Sequence, residues 1–216
     1  MMMPNSALLD VMRDAYSCRF FGTCREAEKS PSKGLIPRGF VGATGRLDEV
    51  EAIFVIAEPG GPMEGERYTE GASSDQLMRE GIEHTYRCFR SSHNPFHRNM
   101  RWILDQLWPG SFDEQLKKVW ITEGRLCSIH HTTRWFSDRI CAPTYLEPQL
   151  QLLPQATIVL FGNKAEDRVK RGTSVMTRVP IKVSHVAPPE GMKPKAKASW
   201  VNLIQHVQSL RQPTGR

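Results

Sequence analysis

Two stretches of the chain are apolar without polar alternation, residues 51–57 (EAIFVIA) and residues 156–161 (ATIVLF), and each ends at glycine-containing turn residues. Continuous apolar runs of this length suit strands covered on both faces, as in parallel sheets. Residues 118–122 and 181–184 read as two further strands, so the four strand ends carry Glu58, Glu123, Gly162 and His185. Between them, Met100, Ile103, Leu104 and Leu107 recur at helical spacing, as do Leu146, Leu150 and Leu153. A last helix over residues 198–210 places Val201, Leu203, Ile204 and Val207 toward the sheet. Strands alternating with helices predict an α/β fold, a three-layer sandwich with a central, mostly parallel four-stranded sheet flanked by helices. Residues 62–98, rich in Gly, Glu, Arg and His, and the Pro/Lys-rich residues 186–199 read as functional loops beside the sheet.

The chain has 216 residues, 39% of them hydrophobic, enough for one sizeable core and short of two full domains. A single domain over residues 1–216 is expected, with a long insertion or loop at about residues 62–98. The apolar runs fall far below the roughly 18 residues of a membrane span, and the start lacks a basic segment followed by a long apolar one. A cytoplasmic protein with no membrane partner is expected. Lys and Arg number 29 against 23 Asp and Glu, a net charge of +6 that favours polyanionic partners. Neither G-x-G-x-x-G nor a P-loop occurs, so no nucleotide cofactor is expected. Five cysteines, an odd number, argue against a disulfide framework and leave metal binding or plain burial.

Three motifs in order carry a family resemblance: Ile56-Ala57-Glu58-Pro59-Gly60 after the first strand, the strand from Leu153-Pro154 to Gly162 and Ala165, and Ser184-His185-Val186-Ala187-Pro188. Together they resemble the uracil-DNA glycosylase superfamily, closest to its iron-sulfur branch, over most of residues 18–210. Ile56 replaces that family's usual glycine, Val186 its proline and Glu123 its asparagine. The resemblance implies that Glu58 holds a water near the sugar C1′ and favours oxocarbenium-like charge, while His185 donates to O2 of the departing pyrimidine. It gives Glu123 the edge of the base and Tyr68 the stacking platform. Cys18, Cys24, Cys127 and Cys141 match the two pairs that hold a [4Fe-4S] cluster, with zinc or simple burial as alternatives and Cys88 to spare. His93/His97 and His130/His131 have metal-compatible spacing but no obvious acidic or cysteine partner.

A glycosylase grips phosphates and fills the space of an extruded base. Lys193, Lys195 and Lys197 supply cations, Met192 a wedge, and Arg87, Arg90, Arg98 and Arg101, interleaved with Tyr86, Phe89 and Phe96, a second DNA contact. The expected function is therefore that of a monomeric, monofunctional DNA glycosylase that leaves an abasic site. An ionised Glu123 has acceptors only, which suits the exocyclic amino group of a cytosine better than O4 of uracil. That favours a modified cytosine of the kind found in phage DNA, and hence a role in antiviral defence. A protonated Glu123 would donate as well, which fits ordinary uracil repair, and a non-catalytic DNA-binding module on the same fold is the other alternative.

Overall fold

The computed structural model describes residues 2–21, 24, 27–128, 138–174 and 178–211. Five strands form one sheet in the order β1-β3-β2-β4-β5: β1 (Val41–Gly42), β2 (Ala52–Ile56), β3 (Val119–Glu123), β4 (Thr157–Phe161) and β5 (Ile181–Val183). The last four run parallel, with Ile56 opposite Glu123, Val55 opposite Leu160 and Phe161 opposite Val183. The expected sheet gains one member, because the two-residue β1 pairs antiparallel with β3 at the edge. A strand of two residues has too little pattern to register in the sequence.

Helices cover both faces. The chain contributes α1 (Ser6–Arg13), α2 (Ser74–Arg90), α3 (Pro95–Leu107), α4 (Phe112–Lys118), α5 (Asp138–Cys141), α6 (Glu147–Leu152), α7 (Asn163–Gly172) and α8 (Pro194–Arg211), with a π turn (Ala142–Leu146) joining α5 to α6. Successive strand side chains point to opposite faces, and the core divides accordingly. Ile53, Val55, Trp120, Ile158 and Leu160 pack with Leu8, Met12, Leu77, Ile82, Leu150 and Val169. Phe54, Ile56, Ile121, Val159, Phe161 and Val183 pack with residues of α3, α4 and α8. The result is a three-layer α/β sandwich.

Three local expectations change. Residues 62–98 are largely helical: Ser73 caps α2 by accepting from the Gln76 amide, and Asn94 caps α3 by accepting from His97, with Pro95 at its first turn. Leu77 and Ile82 of α2 belong to one core face, whereas Tyr86 and Phe89 belong to the other. Helix α2 therefore passes across the end of the sheet from one layer to the other. Residues 186–199 hold a short 3-10 turn (Glu190–Met192) and the first turns of α8, which begins earlier than the hydrophobic spacing suggests. The buried residues of α8 are Ala196, Trp200, Leu203, Ile204 and Val207, so Trp200 takes the inward position expected of Val201, which is exposed.

No helix among the described residues is long and apolar enough to cross a membrane.

Candidate active site

The strand order makes β2 a switch point: β3 lies on one side of it and β4 on the other, and in open α/β sheets ligands bind in the crevice outside such carboxyl ends. A cavity of about 380 Å³ lies there. Glu58 follows β2, Glu123 ends β3 and His185 follows β5, and all three line it. Helices α2 and α3 close the other side with Thr85, Cys88, Phe89, Phe96 and His97.

Two glycines let the polar side chains approach. At Gly162, φ is +87° and a Cβ would stand 3.2 Å from the His185 Cβ. At Gly39, φ is +91° and a Cβ would fall 2.7 Å from Glu123 Cγ and 2.8 Å from its Oε1, so the Glu123 carboxyl lies against bare backbone. The His185 segment is also held from α8, where the Ser199 hydroxyl accepts from the Ser184 amide and the Trp200 indole donates to the Ser184 carbonyl.

The protonation states of the three groups are set by their surroundings. Burial pushes the Glu58 carboxyl up, but the cations of Arg168 and Lys164 outweigh it and hold the group below the usual carboxylate range. Glu58 bonds both, Lys164 at 3.2 Å. Glu123 is 5% exposed, and its Oε2 has no hydrogen-bond partner among the described residues. Burial, reinforced by the negative charge of Glu58 and opposed by Arg168 and Arg38, raises its carboxyl well above the ordinary value. The two carboxyls are thus shifted in opposite directions, Glu58 toward the ionised form and Glu123 toward the neutral acid, the divergence that separates roles in acid-base sites. For His185, burial lowers the imidazole, against the opposing pull of Glu190 and Glu58. Its Nδ1 accepts from the Ala187 amide at 3.0 Å, so the neutral ring carries its proton on Nε2 and acts as a donor there.

A second polar group walls the cavity and left no mark in the sequence reading. Arg38 bonds Glu66 at 2.8 Å, the Gly60 carbonyl at 2.7 Å and the Ser128 hydroxyl at 2.5 Å. Glu66 also accepts from the Met63 amide and the Tyr68 hydroxyl and lies 3.5 Å from the His84 Nε2. The sequence carries no signal for this network, because Arg38 and Glu66 are isolated charges 28 positions apart with no motif in common.

This network relocates Tyr68. Its ring packs in the core and its hydroxyl is spent on Glu66, so it borders a neighbouring surface groove and not the cavity. The aromatic side chains that line the cavity are Phe89 and the half-buried Phe96. Of the arginines grouped as a second DNA contact, Arg87, Arg90 and Arg98 are exposed, but Arg101 bonds Asp105 and packs over the Phe112 ring. Tyr86 is buried and donates to Asp113.

Met192 is 68% exposed, and Lys193, Lys195 and Lys197 are exposed beside it. Lys195 and Lys197 belong to the first turns of α8 and not to a loop. Cations at that end of a helix oppose its dipole, a cost that a bound anion would relieve. Lys197 also lies over the Trp102 ring at 5.2 Å.

None of the five cysteines is in a disulfide. Burial raises the Cys127 thiol, and Cys141, Cys18 and Cys24 add to the shift as its electrostatic neighbours. Cys88 lies elsewhere, in α2 on the cavity wall, with its sulfur 3.4 Å from the His84 Nε2. Four neighbouring thiols match the number and softness of donors that a [4Fe-4S] cluster needs. Among the described residues no group of three or more His, Cys, Asp or Glu is arranged to hold a single metal ion, His93 and His97 included. His130 and His131 lie outside the described residues.

No protein-family model matches this chain, and no curated protein does.

The raised Glu123 carboxyl has a measurable consequence. An acid that holds its proton more tightly folded than unfolded makes stability fall as pH rises, starting near the unfolded value of 4.5 and continuing to the raised folded value. Glu123→Gln keeps the shape of the neutral acid and removes the titration. Denaturant unfolding from pH 4 to 9 should therefore show stability of the variant relative to the parent increasing with pH, whereas a constant difference would mean that Glu123 ionises normally.

Proposed function

We propose that the protein is a monofunctional DNA glycosylase that flips a modified pyrimidine nucleotide into the cavity and hydrolyses its N-glycosidic bond, as a divergent relative of the uracil-DNA glycosylases. The observation that carries this reading is the meeting of Glu58, Glu123 and His185 in one cavity at the switch point of a parallel sheet. Hydrolysis through an oxocarbenium-like state needs an anion near C1′, a positioned water and a donor that lets the base depart. Glu58 is the ionised carboxylate. Its pairing with Arg168 and Lys164 lowers its basicity, so its part is to orient water and offset positive charge, with little proton abstraction. His185 supplies a neutral Nε2–H to O2, which stabilises the base as an anion without requiring an imidazolium.

Glu123 faces the remaining hydrogen-bonding edge. Burial shifts its carboxyl toward the neutral acid, which has one donor and one acceptor where the carboxylate has acceptors only. The acid can donate to N3 of cytosine and accept from its 4-amino group, or accept from N3–H of uracil and donate to O4. A modified cytosine remains our favoured target, with a role in defence against modified phage DNA, because the cavity of about 380 Å³ exceeds what an unmodified ring fills. Uracil repair is the second reading, favoured by the donor that protonation gives Glu123.

DNA would be gripped by Lys193, Lys195 and Lys197 and by the exposed arginines of α2 and α3, with Met192 filling the vacated stack. Cys18, Cys24, Cys127 and Cys141 would hold the iron-sulfur cluster in a structural role, and its chemistry is to bind four thiolates and thereby pin the N-terminal segment to the turn after β3. The protein would act as a monomer in the cytoplasm.

Incubation with oligonucleotides carrying uracil or modified cytosines, followed by alkali, should yield strand cleavage at the modified position. Glu58→Gln and His185→Ala should each lower single-turnover rates by about 10²–10³-fold with DNA binding retained. Salt-sensitive DNA binding without cleavage of any substrate would leave the non-catalytic module as the answer.

Anaerobically purified protein should carry iron and sulfide with visible charge-transfer absorbance, lost in Cys127→Ser. Colourless protein with stoichiometric zinc, or with no metal after reconstitution, would reject the cluster.

A further inference from the structure

The segment that follows β5 is closed on itself and pinned to α3. His185 opens it and the exposed Met192 ends it. Between them the Gly191 amide donates to the Ala187 carbonyl at 2.9 Å. From α3, the side-chain amide of Asn99 donates to the Val186 carbonyl at 2.8 Å and to the Gly191 carbonyl at 3.3 Å. Both partners are acceptors, so only the nitrogen of that amide can face them, and it has one hydrogen for each. Val186 is fully buried, which puts its carbonyl beyond the reach of water. These bonds also demand a close approach. A Cβ at Gly191 would run into the Val186 carbonyl and stand 3.1 Å from the Asn99 Nδ2, so the position takes glycine. The orientation of the His185 ring belongs to the same segment, because its Nδ1 accepts from the Ala187 amide.

We propose that Asn99 is a positioning residue that makes residues 185–192 one rigid unit, so that the His185 donor at the cavity and the Met192 wedge at the surface are set together. The inference rests on the glycosylase reading for the roles of those two side chains. A wedge displaces a base from the stack, and the same base must then meet the His185 Nε2. A segment tied near both of its ends keeps these two events in register without a separate closing movement. Asn99 also fixes the segment to the helix whose first turn, with Phe96 and His97, walls the cavity. Asparagine suits the position chemically. Aspartate has the same shape but presents only acceptors to the two carbonyls, and alanine leaves both unpaired.

The test compares Asn99→Ala, Asn99→Asp and Gly191→Ala with the parent protein by amide hydrogen exchange and by single-turnover excision. Exchange over residues 185–192 should quicken at least about tenfold in all three variants while β2 and β4 keep their protection, which shows that the fold persists. Excision at saturating DNA should fall by about 10–100-fold with Kd within about threefold of the parent. Asn99→Asp should be slower than Asn99→Ala, the reverse of the order expected if the side chain merely fills space. Unchanged exchange, excision within about threefold of the parent, a loss confined to Kd, or Asn99→Asp at least as active as Asn99→Ala would each overturn the proposal. If the parent excises no base, the catalytic reading fails by itself and exchange alone decides the clamp: faster exchange of the segment in the variants supports it, and unchanged exchange overturns it.

Discussion

The site depends on a buried ion pair. The side chains of Arg38 and Glu66 are 7% and 1% exposed and meet at 2.8 Å, and each is fully used: Arg38 also holds Gly60 and Ser128, while Glu66 holds Met63, Tyr68 and His84. These contacts bind the turn after β2, the turn after β3 and helix α2 to one another. Desolvating two charges is costly, and a pair of this kind adds little stability compared with apolar packing. Removing one partner, however, strands the other charge, at about 3–5 kcal/mol. The pair therefore acts as a positional lock, fixing the wall against which a ligand would be placed.

The same low-dielectric setting divides the titratable groups at the strand ends. Glu58 lies beside two cations and is ionised; Glu123, in the next strand and packed on the Gly39 backbone, is pushed toward the neutral acid partly by the charge of Glu58. His185 stays neutral with its proton directed away from the Ala187 amide. None of these states needs a special residue type. They follow from which groups a parallel sheet brings to its carboxyl edge and from how completely α2 and α3 shield that edge.

The sheet was legible because buried parallel strands are written as unbroken apolar runs, and the polar residues that terminate them mark the crevice. Glu58, Glu123 and His185 are found that way, before any side-chain geometry. Helix α2 was not, because the charged composition of residues 62–98 suggests a loop, although Leu77, Met78, Ile82, Tyr86 and Phe89 keep helical spacing. Tyr68 was put on the pocket by the family resemblance; it does lie in the loop before α2, but its hydroxyl is bound to Glu66 and Phe96 lines the cavity instead. The Arg38–Glu66 lock was invisible because two isolated charges 28 positions apart carry no periodicity. Protonation was beyond reach for a related reason: it depends on burial and on neighbours from other strands, and Glu123 reads as an ordinary carboxylate until both are known.

The most direct measurement is a crystal structure of the protein with duplex DNA containing a 2′-fluoro pyrimidine nucleotide, in which the electron-withdrawing fluorine resists oxocarbenium formation and keeps the glycosidic bond intact. The account predicts an extruded base in the cavity, with O2 at the His185 Nε2 and its N3 and 4-substituent on Glu123. A base that remains stacked in the duplex, or DNA bound away from the carboxyl ends of β2 and β3, would contradict it.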